Sequence, residues 1–210
     1  PNERAYSQGE EIANSVTHGL GALLAAASAA LLVSKAAAKA DALAVLAFAL
    51  FGASLVLLFT ASTVYHAVRA PRAKRRLEVL DHASIYALIA GTYTPFCLTA
   101  LRGPLGWSLF AAVWGLAAAG IVFKIFFIDR FRLLSTLGYV LMGWLVVVAL
   151  GPLKAALSGV SVALLVAGGI LYTAGAAFYA MKRVPWFHPV WHVFVLGGAA
   201  CHVLAALAIL

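Results

Sequence analysis

Residues 42–66 read ALAVLAFALFGASLVLLFTASTVYH and contain no Asp, Glu, Lys or Arg. As a helix this stretch would be about 37 Å long at 1.5 Å per residue, which exceeds the roughly 30 Å hydrocarbon core of a bilayer. Its apolar run is unbroken, whereas a strand of a membrane barrel alternates between apolar and polar residues. The stretch therefore predicts a transmembrane helix.

The rest of the chain has the same character. Of its 210 residues, 64% are hydrophobic and 10% are charged, and the mean hydropathy is +1.00. This composition is typical of an all-α membrane protein and leaves no room for a soluble domain. We predict a single seven-helix transmembrane domain over residues 1–210, with spans at 17–34, 42–66, 79–100, 107–128, 133–151, 160–180 and 189–210.

The cations of the connections predict the orientation, because Lys and Arg concentrate in cytoplasmic loops. Eleven fall on one side and four on the other, which predicts a cytoplasmic N-terminus and an external C-terminus. The net charge of +8 then faces anionic lipid headgroups, and we expect no nucleic acid partner. The eleven are Arg4, Arg69, Arg72, Lys74, Arg75, Arg76, Lys124, Arg130, Arg132, Lys182 and Arg183.

Three histidines are predicted to meet near the cytoplasmic face. His66 ends the second span, and His188 and His192 lie one helical turn apart at the start of the seventh. Three imidazoles leave a fourth position open on a tetrahedral ion, which is the arrangement of catalytic zinc. Nitrogen ligands also favour zinc over calcium or magnesium. We therefore predict a zinc site.

Two further polar residues fall at the same depth. Asp81 begins the third span and is expected to take a proton beside the metal, and Ser62 shares a helix face with His66 and is expected to hydrogen-bond there. Separately, a histidine pair would also fit hydrogen bonds to headgroups and water, and Asp81 would fit a helix N-cap. The common depth of these groups favours a site.

The remaining buried polar groups leave more than one interpretation. Glu11, Asn14 and His18 form one helical stripe that either caps the bundle or lines the approach to the site. His82 fits an interfacial or hydrogen-bonded position. His202 lies about 15 Å along the helix from the metal site, so we expect a buried hydrogen bond between helices.

The motifs Ser62-x-x-x-His66, LDHAS at 80–84, GTYTP at 91–95 and HPVWH at 188–192 form a recognisable order. Over essentially the whole chain they resemble the bacterial hemolysin III proteins, which belong with the progestin and adiponectin receptors. The resemblance implies a seven-helix protein of the bacterial inner membrane, with zinc on His66, His188 and His192 and with Asp81 and Ser62 beside it. It also implies kinship with membrane ceramidases, which cleave lipid amides with a similar residue set.

The leading functional hypothesis is a zinc-dependent hydrolase whose substrate is the amide or ester bond of a membrane lipid. One alternative is a regulator or sensor of the membrane in which zinc only joins helices. A hemolysin-type membrane-active protein is another, although the spans show no polar stripe typical of a channel. An ion transporter is disfavoured, since the polar groups form one cluster at one depth.

Overall fold

The computed structural model describes residues 5–128, 130–181 and 183–210, and Arg132 without its side chain. Arg4 and Lys182, used above for the orientation, and Asp129 of the predicted fourth connection lie outside the described residues. In the described ranges the chain forms seven helices long and apolar enough to cross a membrane, and no strand. The predicted all-helical, seven-span fold is confirmed.

The helices follow one another through short connections. They are α1 (Gln8–Ala37), α2 (Ala42–Ala67), α3 (Pro71–Pro95, continued by a π-helical turn at Phe96–Ala100), α4 (Pro104–Phe127), α5 (Arg132–Gly143, a 3₁₀ turn at Trp144–Ala149, then Leu150–Ala156), α6 (Gly159–Ala180) and α7 (Phe187–Leu207).

Two helices begin earlier than the hydropathy indicates. Helix α1 starts nine residues before the predicted position, because Ser7 caps it: Ser7 Oγ accepts from the Glu10 amide at 3.2 Å, and Glu10 Oε2 accepts from the Ser7 amide at 2.9 Å. Helix α3 starts at Pro71, eight residues early, since proline fits the first helical position. The basic stretch 72–76 therefore lies in a helix and not in a loop.

One cation does not lie where the orientation argument put it. Lys124 is fully buried in the last turn of α4, with its Nζ 5.9 Å from the centre of the Tyr139 ring. The expectation that it faces headgroups was wrong, because the sequence could not show which way this side chain turns. By contrast, Arg69, Arg72 and Arg76 are exposed at the end of the bundle that carries His66.

Close helix packing depends on small residues. A Cβ placed on Gly52 of α2 would lie 2.6 Å from the Cβ of Ala29 in α1, so the two backbones approach as closely as only glycine allows. Helix α3 is the most buried span of the seven. This packing brings α1, α2, α3 and α7 together at the end of the bundle where the histidines lie.

The interruptions of α3 and α5 face each other. The Tyr93 hydroxyl accepts from the amide of Val146 at 2.8 Å and lies 2.6 Å from the carbonyl oxygen of Gly143 and 3.0 Å from that of Met142. It thus satisfies backbone groups that the irregular turn of α5 leaves without helical partners. The irregular turns leave space between α3 and α5, where a cavity opens.

Candidate metal centre

Three buried histidines from two helices form the centre of the site. His66 lies in the last turn of α2, and His188 and His192 lie in the first turns of α7. One ring nitrogen of each lies within 4.8 Å of the others. The Nε2 atoms of His66 and His188 are 3.3 Å apart, close to the edge of about 3.3 Å that a zinc tetrahedron with 2.0–2.1 Å bonds requires. The cluster can hold a metal ion.

Helix α1 orients the first of these rings. Nδ1 of His66 donates to Glu11 Oε2 at 2.6 Å, and Glu11 Oε1 accepts from Lys74 Nζ at 2.7 Å. A carboxylate that holds the far nitrogen of an imidazole is the usual partner of a metal-binding histidine, because it fixes the tautomer and makes the other nitrogen more basic. Nε2 of His66 is thus the nitrogen left for a metal.

His192 is held in the same way by backbone and hydroxyl groups of α1. Its Nδ1 lies 3.3 Å from the Asn14 carbonyl oxygen and 3.3 Å from Thr17 Oγ1. Its Nε2 is buried and has no hydrogen-bond partner among the described residues. A buried nitrogen without a partner is costly in a folded protein, so this one fits a metal ligand. The residues present therefore suit a bound zinc ion.

The contribution of α1 is the part of the site that the sequence left undecided. Glu11 and Asn14 contact His66 and His192, and do more than cap the bundle. The available signal was their spacing of three residues, which places both on one face of a helix. Hydropathy gave no indication that this face turns toward the histidines.

His18 completes the stripe on α1. Its ring stacks on that of His192, with centroids 3.5 Å apart and an angle of 7° between the planes. The edge of Phe59 packs against it with centroids 5.0 Å apart. Only 1% of His18 is exposed, and neither ring nitrogen has a hydrogen-bond partner in the described part of the chain.

Asp81 and Ser62 lie on neighbouring helices and are both buried. Ser62 on α2 is close enough to act on the Asp81 carboxylate of α3, yet its hydroxyl has no partner of standard hydrogen-bond geometry among the described residues. Asp81 is not part of the group whose ligand atoms converge. It lies instead on the wall of the cavity described below.

Tyrosines cover the cluster where α1 begins. The Tyr6 ring lies 4.8 Å from the ring of His188 and 6.0 Å from that of His66, and the Tyr65 ring lies 4.6 Å from His66. Burial raises the pKa of the Tyr6 hydroxyl well above its ordinary value of 10.0, so this group is neutral at physiological pH. These rings limit the access of water to the histidines.

The two other histidines are satisfied elsewhere. Nδ1 of His82 donates to the Glu78 carbonyl at 2.8 Å, and Nε2 accepts from the Tyr179 hydroxyl at 2.9 Å. Nε2 of His202 donates to the carbonyl oxygen of Leu165 in α6 at 3.2 Å. The predicted hydrogen bond between helices is therefore present at His202.

A largely apolar cavity leads away from the site. Its first part, about 120 Å³, is lined by His18 and Asp81, and its second part, about 110 Å³, by Leu101 and Leu153. Asp81 and Leu101 are twenty residues apart, about 30 Å along α3. The two parts share Thr92, Tyr93, Gly143, Trp144, Gly169 and His202.

Comparison with known proteins identifies the family. The family model described as haemolysin-III related matches residues 6–203. The chain belongs to this family. It is 51% identical over 191 residues to Hemolysin-3 of Bacillus cereus, which covers 91% of this chain and 87% of that protein, and 51% identical to the Hemolysin-3 homolog of Bacillus subtilis over 91% of this chain and 90% of that protein.

A more distant relative of this haemolysin-III-related protein is human. The monocyte to macrophage differentiation factor of Homo sapiens is 28% identical over 165 residues, which cover 74% of this chain and 67% of that protein. No solved structure matches the chain significantly. The family resemblance expected from the sequence motifs is thus confirmed, and so is the weaker relation to the receptor family.

Proposed function

We propose that this protein is a zinc-dependent hydrolase that cleaves an amide or ester bond of a membrane lipid inside the bilayer. The observation that carries the proposal is the convergence of three imidazole nitrogens near the end of an apolar cavity lined by His18 and Asp81. A closed structural zinc site has four protein ligands, whereas three leave a position for a substrate or water.

The chain's own groups fit the ligand role. His66, His188 and His192 would hold the zinc ion, with Glu11 and Asn14 fixing two of the rings. When bound there, zinc supplies Lewis-acid polarisation of a carbonyl group and a nucleophile at neutral pH.

Two residues would handle protons and developing charge. Asp81 would accept a proton from the nucleophile and return it to the leaving group, since its carboxylate lies on the cavity wall. The Ser62 hydroxyl has no fixed partner of standard geometry in the described residues. It is therefore available to donate to the oxygen on which negative charge develops.

The cavity would bind the acyl chain. Its path of about 30 Å along α3 exceeds the roughly 15 Å of one leaflet of the hydrocarbon core. Apolar walls and the rings of Tyr6 and Tyr65 would keep water away from the reacting bond. A chain of ordinary membrane lipid would fit this path.

We also place the metal site at the cytoplasmic face of a bacterial inner membrane. The exposed arginines Arg69, Arg72 and Arg76 lie at the same end as His66, and cations favour the cytoplasmic side. The relatives in two Bacillus species support the bacterial setting. In this orientation the N-terminus is inside and the C-terminus outside.

A second candidate is a regulator of the membrane in which zinc has a structural role. The ligands come from α2 and α7, and α1 contacts both through Glu11 and Asn14, so a metal would join separate helices. The name of the human relative, a differentiation factor, also fits a regulator. The names of the bacterial relatives keep a membrane-active, hemolysin-type role as a further alternative.

Metal content and lipid hydrolysis separate these candidates. We would purify the protein in detergent, measure zinc per chain, and follow fatty acid release from a panel of lipid amides and esters. For the hydrolase we expect about one zinc per chain, loss of both zinc and turnover in His188→Ala, and loss of turnover alone in Asp81→Asn. His202→Gln is the matched control for metal content, since this buried histidine is bonded elsewhere. Bound zinc without turnover would favour the regulator.

A further inference from the structure

His18 is the one part of the α1 stripe that the proposed chemistry does not use. It lines the cavity and stacks on His192, so it lies where the acyl-binding space meets the metal centre. It is not a member of the group whose ligand atoms converge. Both of its ring nitrogens are buried and without a hydrogen-bond partner among the described residues.

The hydrogen-bonding capacity of His18 defines what a ligand must supply. A charged imidazolium at this depth would need a nearby anion, whereas the rings packed against His18 are those of His192 and Phe59. The ring is therefore neutral, with one N–H donor and one nitrogen acceptor. A matching ligand brings both an acceptor and a donor to the mouth of the cavity.

Lipid amides and lipid esters differ in this respect. Around its scissile bond an ester offers only oxygen acceptors, so it can receive the N–H of His18 but gives nothing to the acceptor nitrogen. A secondary amide carries an N–H donor beside its carbonyl, which can bond to that nitrogen while a polar oxygen of the headgroup receives the ring N–H. A site that hydrogen-bonds an N–H discriminates strongly against an analogue without it, because a buried group is then left unpaired.

From this complementarity we infer that His18 is a specificity-determining residue that selects lipid amides over the corresponding esters. The inference rests on the proposed function for the catalytic step but not for binding. One buried hydrogen bond lost corresponds to a preference of about 10- to 100-fold for the amide.

The test uses a substrate pair that differs only by N–H against O: N-octyl hexadecanamide and octyl hexadecanoate. His18→Phe removes both nitrogens and keeps an aromatic ring against His192, and His18→Gln keeps one donor and one acceptor. Leu20→Ala is the matched control, because Leu20 lies on the same helix and is 56% exposed. Zinc per chain is measured for every variant, and His18→Leu replaces His18→Phe if the latter does not fold.

Binding is measured apart from turnover in the Asp81→Asn background, through the fluorescence of Trp144 and Trp191, which line the cavity. We expect the amide preference in Kd to fall to less than about threefold in His18→Phe, to persist in part in His18→Gln and to be unchanged in Leu20→Ala, with zinc content constant. Among active proteins, kcat/KM for the pair should follow the same pattern.

The possible failures are distinguishable. Amide-selective binding that depends on His18, without turnover of either lipid, supports this inference and contradicts the hydrolase. An amide preference that is the same in His18→Phe and wild type overturns the role of His18 and leaves the hydrolase standing. Loss of zinc in the folded His18 variants also overturns it, since His18 would then support His192.

Discussion

The carboxylate of Glu11 provides the most direct test of the metal centre, because it touches a ligand without being one. In Glu11→Gln the side chain keeps its shape and still accepts from Nδ1 of His66, but the charge-assisted bonds at 2.6 Å to His66 and 2.7 Å to Lys74 become neutral. Charge-assisted hydrogen bonds are about twice as strong as neutral ones. The Nε2 atom of His66 becomes a weaker donor to the metal as a result.

The size of the effect follows from the role of such partners. Replacing a residue that orients a metal-binding histidine costs about 10- to 100-fold in affinity, which is about 1.4–2.7 kcal/mol. We therefore expect the zinc Kd of Glu11→Gln to rise by that factor while the far-ultraviolet circular dichroism stays unchanged. The Kd is measured by competition with a fluorescent zinc chelator in detergent.

The matched control is Glu78→Gln. Glu78 pairs with Arg75 at 3.1 Å on the surface of α3, and exposed pairs contribute little, so its zinc Kd should stay within about threefold of wild type. Equal zinc affinity in Glu11→Gln and Glu78→Gln would refute the assignment of Glu11 as the group that orients His66.

Three further changes test the site and the packing. Asp81→Asn should keep its zinc and lose at least about 100-fold in lipid turnover if Asp81 moves the proton, measured as fatty acid release. Gly52→Leu should destabilise the bundle by about 1–3 kcal/mol, since its Cβ would lie 2.6 Å from the Cβ of Ala29, measured as a lower Tm in detergent. Asp41 accepts from the Ala44 amide and pairs with Arg102, and both lower its pKa below the ordinary 3.8. Its stabilising effect is thus present above about pH 4 and lost as the pH falls through the lowered pKa, so the Tm deficit of Asp41→Asn should be larger at pH 7 than at pH 3.

Much of the fold could be predicted from the sequence because a bilayer imposes a simple requirement on each span. Backbone groups in hydrocarbon must be hydrogen-bonded, so each long apolar stretch becomes a helix. The errors lie at the ends of α1 and α3. Hydropathy changes at the edge of the hydrocarbon, but a helix continues until a cap or a proline ends its hydrogen bonding, as Ser7 and Pro71 do.

The histidine cluster was accessible from the sequence for a related reason. The order of the spans sets the depth of each side chain, and His188 and His192 are four residues apart, which places them on one face. Depth and face together sufficed to bring these two rings toward His66. The sequence could not give the partners of the rings, because the rotation of α1 about its own axis has no signature in hydropathy.

The sequence by itself thus determined the number of spans and the residues able to meet at one depth. The tertiary structure decided that Glu11 and Asn14 hold the histidines, that His18 stacks on His192 and that a cavity leads away from Asp81. These features depend on how neighbouring helices rotate, how closely they approach and where α3 and α5 leave regular geometry. Such properties arise from the packing of side chains that are far apart in the chain, so no single stretch of sequence encodes them.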